Sequence, residues 1–441
     1  MAHLEARYWE GQATGLTRHD RRPCNYAVYL PDKLAERRFV LDGDVAADVA
    51  VAEAALVRLD TAASALANTE ALARLLLRAE CVASSRIEGL EVGGRRLLRA
   101  DAARQLGEDP GDVTVTEVLG NINAMVWGVS SVEPGDMMTV ENLLEVHRRL
   151  LAGTRLEEHG GRIRDMQNWI GGSDYNPCSA EFVPPPPEMV ASLLDDLFTF
   201  CNDDSLPALV QAAIAHAQFE TIHPFVDGNG RTGRVLFHMI MRRRGLGLRI
   251  LPPISLILAT WTRDYVAGLT ATRYVGPSDS NEAHAEVNRW IALCASACHR
   301  AVDDASRFEE QVRTLQKSWQ KRAGHVRRDS AAHLLIGALP AVPVLTTSTA
   351  AESIGRSFQA ASQAINRLKE AGVLAQVTVG RRNRIFEAPE LIEAFTALGA
   401  TAREPRGQHA RLQTHPARSS TVGRERASRP HRALYGKEAG D

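Results

Sequence analysis

Twelve consecutive residues, His223 to Arg234 (HPFVDGNGRTGR), hold a histidine, a carboxylate, three glycines, an asparagine and two arginines. A histidine supplies a base near neutral pH. A glycine-containing loop that runs into a helix presents unpaired N–H groups and the positive end of the helix dipole, which together favour an anion. Arg231 and Arg234 add permanently charged, fork-shaped donors that match phosphate oxygens, and their three-residue spacing puts them on nearly one side of a helix. Asp227 has the wrong sign for a bare phosphate site, but fits if Mg²⁺ mediates, because that ion is held by one or two carboxylates plus substrate phosphates. The stretch therefore reads as base (His223), metal ligand (Asp227), phosphate cradle (Gly228, Asn229, Gly230) and charge clamp (Arg231, Arg234). That set suits phosphoryl or nucleotidyl transfer, where positioning and charge stabilisation are most of catalysis. Taken singly, a histidine after a helix is commonly a cap and GNG commonly a turn. Their joint occurrence carries the inference.

Helical elements must position this loop. LPALVQAAIAHAQFETIH precedes it and TGRVLFHMIMRRRG follows, with Leu236, Met239 and Ile240 on one face and Gly245 as the stop. Upstream, apolar residues recur at helical spacing from about residue 45 to 83. LARLLLRAECVASSRIEGLEVGG reads as a further helix stopped by Gly93–Gly94, and TVTEVLGNINAMVWGV and TVENLLEVHRRLLAG as two more. The N-terminal residues around YLPDKLAE read as irregular. GRIRDMQNWIGGSDYNPCSAEFVPPPPEMV breaks the periodicity with Gly-Gly, Asn-Pro and four prolines, which suits a loop or hairpin lying on a helical body.

The 441 residues allow two or three domains, and 44% hydrophobic with 24% charged residues is ordinary for a globular protein. A net charge of −1 excludes whole-molecule attraction to nucleic acid. No basic segment followed by an apolar run opens the chain, and no apolar run reaches membrane-spanning length, so no membrane partner is expected. The six cysteines (24, 81, 178, 201, 294, 298) complete no zinc pattern. They read as reduced thiols packed in a cytoplasmic protein.

From about residue 330 the pattern turns to short helices, SAAHLLIGAL, TSTAAESIG and SFQAASQAINRLKEAG, then two alternating pieces, AQVTV and NRIFEA, around GRR. Three helices and a hairpin suggest a winged helix-turn-helix. Ser357, Gln359, Ser362, Gln363, Asn366 and Arg367 would face away from its core and Arg381, Arg382 and Arg384 would lie on the wing, a surface for DNA or for protein contact and dimer packing. The arginine-rich end has few apolar residues and should be disordered.

The quoted stretch resembles the signature of the Fic family, HxFx(D/E)GNGRxxR, at every specified position. AHAQFETIHPF, WIGG…FVPPPPEM and YLPDKLAE resemble the family too, over roughly residues 25 to 300. The resemblance implies a mainly α fold, a helical bundle with a β-hairpin flap within residues 163–182, plus the small C-terminal winged helix. It implies transfer of AMP from ATP to a Ser, Thr or Tyr hydroxyl of a target protein or of the chain itself. His223 would deprotonate the hydroxyl and Asp227 would hold Mg²⁺. Gly228, Asn229, Gly230 and Arg231 would bind phosphates, Arg234 would hold the γ-phosphate, and the flap would hold the target segment as an added strand. Relatives that transfer phosphate from an inverted nucleotide carry lysine where this chain has Gly230. Where relatives often have paired tyrosines the chain reads Asp264-Tyr265, which loosens the expectation for the nucleobase end. UTP as donor and a homodimer both stay open.

SSRIEGL (84–90) resembles the family's inhibitory motif, (S/T)xxxE(G/N), with Ser84 and Glu88 in the key positions. By that resemblance Glu88 would pair with Arg234, occupy the donors that the γ-phosphate needs, and leave ATP in a misaligned pose. Some relatives use this glutamate to remove AMP, so a de-AMPylase is an alternative, as is a DNA-binding regulator with a nucleotide-sensing core. The expected organisation is an N-terminal helical region with the inhibitory motif (1–110), a catalytic core (111–315), a winged-helix domain (330–395) and a disordered tail (396–441).

Overall fold

The computed structural model describes residues 1–11, 17–18, 20–64, 69–108, 111–324, 326–379 and 383–401. The chain opens with two antiparallel strands, β1 (His3–Trp9) and β2 (Cys24–Leu30), where the sequence reading expected an irregular start. β1 alternates between exposed and half-buried residues, and β2 alternates at its start and ends buried. The apolar Leu4 and Tyr8 of β1 face outward, so its alternation marks no core-facing strand.

Helices α1 (Gly43–Ser64), α2 (Thr69–Ile87), α3 (Gly94–Gln105), α4 (Val113–Ser130) and α5 (Val140–Leu151) follow. α2 stops earlier than expected. Gly89 takes φ +78 and the N–H of Leu90 reaches back to the carbonyl of Ser85, so the turn that ends the helix is built at Glu88–Gly89, while Gly94 begins the next helix. Glu88 is thereby held just beyond the last helical turn, free to point sideways.

Helix α6 (Pro187–Cys201) leads to α7 (Ala208–Ile222), all fifteen of whose residues are buried. Its five alanines let neighbours approach from every side. α8 (Asn229–Arg243) packs against α7, and α9 (Ile254–Thr260), α10 (Thr262–Ala271) and α11 (Asn281–Arg322) close the bundle. α11 runs 42 residues, past the expected end near 315, and its far end carries the C-terminal part. That part comprises α12 (Ala331–Ala338), β3 (Val344–Leu345), α13 (Thr347–Ile354), α14 (Phe358–Glu370), β4 (Ala375–Val379), β5 (Asn383–Glu387) and α15 (Pro389–Thr401). The strands form one sheet in the order β3-β5-β4. The hairpin β4–β5 lies where AQVTV and NRIFEA put it. α15 extends regular structure to Thr401, beyond the expected start of the tail, whose remaining residues 402–441 lie outside those described, as do Arg381 and Arg382.

The cysteine expectation is corrected. Cys24 of β2 and Cys178 form a disulfide with Cα atoms 5.8 Å apart, while Cys81, Cys201, Cys294 and Cys298 are free and buried. The pair is 154 residues apart in sequence, so no spacing rule could expose it. Disulfides persist in oxidising compartments, and the step from scattered cysteines to a cytoplasmic location loses its basis. Among the described residues no helix is long and apolar enough to cross a membrane.

The segment expected to form a flap is closed by a single antiparallel bridge, Ile170 to Phe182, with N–H to O distances of 2.8 and 3.2 Å. Gly171 and Gly172, both near φ +76, turn the chain there, and the prolines from Pro184 on lack the N–H groups that would extend the pairing. β2 braces this segment through the Tyr29 N–H on the Val183 carbonyl (2.9 Å) and the disulfide, and β1 adds an edge contact of Trp9 with Trp169.

Candidate active site

His223 caps the C-terminus of α7 in the left-handed conformation, φ +50, ψ +59, which costs a non-glycine residue energy and needs support. Arg164 gives it. This guanidinium, 3% exposed, donates to the carbonyls of His223 (2.8 Å), Met166 (3.0 Å) and Pro185 (2.5 Å), and Asn168 reaches the carbonyls of His223 and Phe225. A buried cation satisfied by carbonyls alone couples the flap segment to the base, and burial depresses its pKa to about 10. Burial, reinforced by Arg164 and Arg273, also lowers the pKa of His223 to about 3. The imidazole is thus neutral at physiological pH, the state a proton acceptor requires.

The loop between α7 and α8 is fixed by Asn229, whose amide accepts from the Phe225 N–H (2.9 Å) and donates to the Phe225 carbonyl (2.8 Å). This refines the expected role: the Asn229 side chain closes the loop, and only its backbone N–H remains for an anion. His147, unmarked by the sequence reading, stacks on Phe225 at 3.7 Å. Its Nδ1 accepts from the Gly161 N–H, so Nε2 carries the proton and donates to the Asp227 carbonyl (3.0 Å). Asp227 keeps one oxygen on the Gly228 N–H (2.7 Å) and the other 3.7 Å from Arg231.

Gly228 caps α8 at φ +76, and the first intrahelical bond is donated by Thr232. The N–H groups of Asn229, Gly230 and Arg231 therefore have no intrahelical acceptor. Arg231 is 3% exposed, yet its Nε and Nη1 are buried without any hydrogen-bond partner among the described residues. A buried guanidinium with idle donors at a helix N-terminus has the chemistry that suits an anion.

Arg234, one turn on, is fully engaged. Its Nε donates to the Ser84 hydroxyl (2.8 Å), Nη2 to the Ser84 carbonyl (2.9 Å) and the Glu88 carboxylate (2.7 Å), and Nη1 to the Tyr265 hydroxyl (3.3 Å). The Glu88 carboxylate lies against Gly230, where any Cβ would collide with it. Gly230 thus leaves room for Glu88 as well as for a ligand. Tyr265, 3% exposed, also takes the Nε2 of His216 (2.8 Å), while Asp264 faces solvent. Of the Asp264-Tyr265 pair considered for the nucleobase end, Tyr265 bonds Arg234. The sequence reading thus missed Arg164, Asn168, His147, His216 and Glu220, and did not foresee the bond of Tyr265 to Arg234. Polar residues within apolar helical stretches, such as the histidine and glutamate of AHAQFET, were the available signal.

Residues 137–241 match the Fic/DOC family and residues 46–130 match the Fic/DOC family N-terminal region. Protein adenylyltransferase fic-1 of Caenorhabditis elegans is 34% identical over 163 residues, 35% of this chain and 29% of that protein. Protein adenylyltransferase Fic of Drosophila willistoni is 35% identical over 139 residues, 31% and 26% of the two chains. A Fic family protein from Desulfovibrio desulfuricans superposes with TM-score 0.49 at 20% identity, covering 79% of this chain and 97% of that one. The chain spans roughly a third or less of the length of the adenylyltransferases it matches. It carries a Fic/DOC domain with the family's N-terminal region ahead of it.

Proposed function

We propose that this chain transfers AMP from ATP to a Ser, Thr or Tyr hydroxyl of a target protein, or of itself, and that Glu88 restrains the reaction. The observation that carries this is the buried Arg231 with two idle donors beside Asp227, on the helix that follows the His223 loop. Neutral His223 takes the proton of the attacking hydroxyl, whose oxygen bonds to the α-phosphorus as the bond to the pyrophosphate oxygen breaks. Arg231 and the N–H groups of residues 229–231 bind the phosphates, and Gly228 gives the loop its close approach. Arg234, once released, clamps the γ-phosphate. Asp227 fits Mg²⁺ as a carboxylate beside the anion cradle, with phosphates and water completing the shell. The ion would neutralise phosphate charge.

Glu88 and Ser84 occupy the donors of Arg234, and Glu88 sets negative charge against the first turn of α8. One charge-assisted pair contributes about 1.5–3 kcal/mol, so the brake is substantial but leaky. The flap segment, braced by β2, is the surface for the target backbone.

The test uses α-labelled ATP and Mg²⁺ with the parent, Glu88→Gly, and Glu88→Gly with His223→Ala. Label on protein in Glu88→Gly alone supports both transfer and brake. No label in any of the three removes AMP transfer, and labelled UTP and assays for AMP removal are then the next arms. A second reading, DNA binding through the C-terminal part, is favoured by the exposed row Gln359, Gln363 and Asn366 on α14. Arg367 weakens it, since its Nε is bonded to the Ala323 carbonyl (2.8 Å). An affinity for random DNA unchanged between low and moderate salt would discard this reading.

A further inference from the structure

α7 carries five polar side chains through a fully buried environment: Gln211, His216, Gln218, Glu220 and Thr221. Four make hydrogen bonds. Gln211 donates to the Phe200 carbonyl, His216 meets Tyr265, Gln218 donates to the Asp32 carbonyl and Thr221 to the Ala217 carbonyl. The Glu220 carboxylate makes none, and its Oε1 is buried without a partner. An unbonded carboxylate in a core is costly and calls for a reason.

The reason lies one turn along. Glu220 Oε2 stands 4.0 Å from Nδ1 of His223, which is itself buried and without a partner. The two idle groups are one side-chain rotation from a hydrogen bond. Nε2 of His223 has no partner either and is absent from the buried partnerless atoms, so it is the ring nitrogen open to solvent. We propose that Glu220 is a positioning residue for the transfer reaction: it accepts the Nδ1–H of His223, which fixes the tautomer that leaves Nε2 as proton acceptor, and it balances the imidazolium formed when the hydroxyl proton arrives. This rests on the AMP-transfer reading above. In the step, the acceptor O–H bond breaks and its proton forms the Nε2–H bond. The acceptor oxygen bonds to the α-phosphorus, and pyrophosphate leaves with the electron pair of the broken P–O bond. Glu220 exchanges no proton. It holds Nδ1–H throughout.

The surroundings set when this works. Glu220 is faced by His216 and His223 from α7 and its end, Arg234 from α8, Tyr265 from α10, Arg273 from the segment after α10, and Glu88 from the end of α2. A Cβ on Gly233 would lie 2.9 Å from Glu220 Oε1 and 3.0 Å from His216 Nδ1, so glycine alone admits both groups there. Burial raises the Glu220 pKa to about 7, against the opposing pull of Arg234. The carboxylate is the active form, because the acid would donate to Nδ1 and select the wrong tautomer. Activity therefore rises with pH through about 7 on account of Glu220, since His223 is already neutral. The main-chain carbonyl of Glu220 also faces the ring, outside hydrogen-bond geometry, and is the competing partner for Nδ1.

The experiment uses the full chain in the Glu88→Gly background, with Glu220→Gln and Glu220→Ala added. Gln keeps a neutral acceptor of the same shape and should fold. We expect kcat to fall about 10-fold for Gln and about 100-fold for Ala, with KM for ATP unchanged and the rise near pH 7 lost in both. A wild-type kcat and pH profile in Glu220→Gln would overturn the proposal and leave the backbone carbonyl as sufficient. If Glu88→Gly itself transfers no label, the functional reading fails instead. Two-bond ¹H–¹⁵N spectra of labelled histidines, with His223 assigned by His223→Ala, then test the pair directly. A His223 Nδ1–H tautomer at pH 8 that is lost in Glu220→Ala supports the pair, and an unchanged tautomer rejects it.

Discussion

Arg231 and Arg234 sit one turn apart on the same helix, equally buried at 3% exposure, and their fates are opposite. Arg231 has two donors with nothing to hold. Arg234 is bonded to a hydroxyl, a carbonyl, a carboxylate and a phenol. The helix treats both alike, so the difference comes from outside it: the end of α2 and Tyr265 of α10 reach Arg234 and stop short of Arg231. One arginine keeps donors idle, and the other is filled by the protein itself. On the proposed AMP-transfer reading, the cradle stays open and only the clamp is guarded.

The contrast can be broken from either side. Arg231→Ala in the Glu88→Gly background should lower kcat/KM for labelled AMP transfer about 100- to 1000-fold, as loss of a preorganised charge donor does elsewhere. It should leave thermal stability unchanged or slightly raised, because two buried donors without hydrogen-bond partners are removed. Arg234→Ala should instead destabilise by about 1–3 kcal/mol, the cost of leaving the buried Ser84 and Tyr265 groups unpaired. Denaturant midpoints of the two variants measured side by side decide this, and equal losses would erase the distinction between the empty and the filled arginine.

Next in size is the guard itself. Glu88→Gly should raise transfer roughly 5- to 150-fold at saturating ATP, the range of couplings between sites. Unchanged activity would mean that Arg234 is held for stability alone.

The medium around both arginines predicts an acid limit. Burial lowers the pKa values of His147, His216 and His223 to about 3 each. When unfolded these rings protonate near 6.5, so below that pH the unfolded chain binds three more protons and stability falls as pH drops. Glu220, whose folded pKa is raised, works in the opposite sense. Its stabilisation is fully present below its unfolded value and is lost as pH rises through about 7. Near pH 5.5 the net difference is about two protons, or roughly 2–3 kcal/mol per pH unit. Urea midpoints at pH 7.5, 6.0 and 5.0 should decline accordingly, and a flat series would contradict neutral buried histidines. The smallest effect belongs to Ser84→Ala, about 1 kcal/mol of stability with a partial release of transfer. It separates the hydroxyl's share of the guard from the carboxylate's.

How much of this was legible follows the same division. The loop from His223 to Arg234 was readable because its residues are neighbours in the chain, and glycines, a helix start and two arginines three apart are local facts. The helices were readable for the same reason, down to the stop at Gly245 and the hairpin at β4–β5. β1 escaped notice because its alternating apolar residues face outward, and α2 ended at Ile87 because the left-handed Gly89 outweighed the later Gly-Gly pair. The pairing of Glu88 with Arg234, 146 residues away, came from resemblance and could not have come from spacing.

By itself, then, the sequence determined a mainly helical chain and a contiguous base, carboxylate and anion cradle, since periodicity and turn chemistry act between near neighbours. Tertiary structure alone decided which arginine is left empty, that Cys24 meets Cys178, that Arg164 props His223 in a strained conformation, and that Glu220 faces the base from inside the core. Those contacts join residues through space. Their partners are chosen by which buried groups the packed helices leave unsatisfied, a quantity that exists only once the chain has folded.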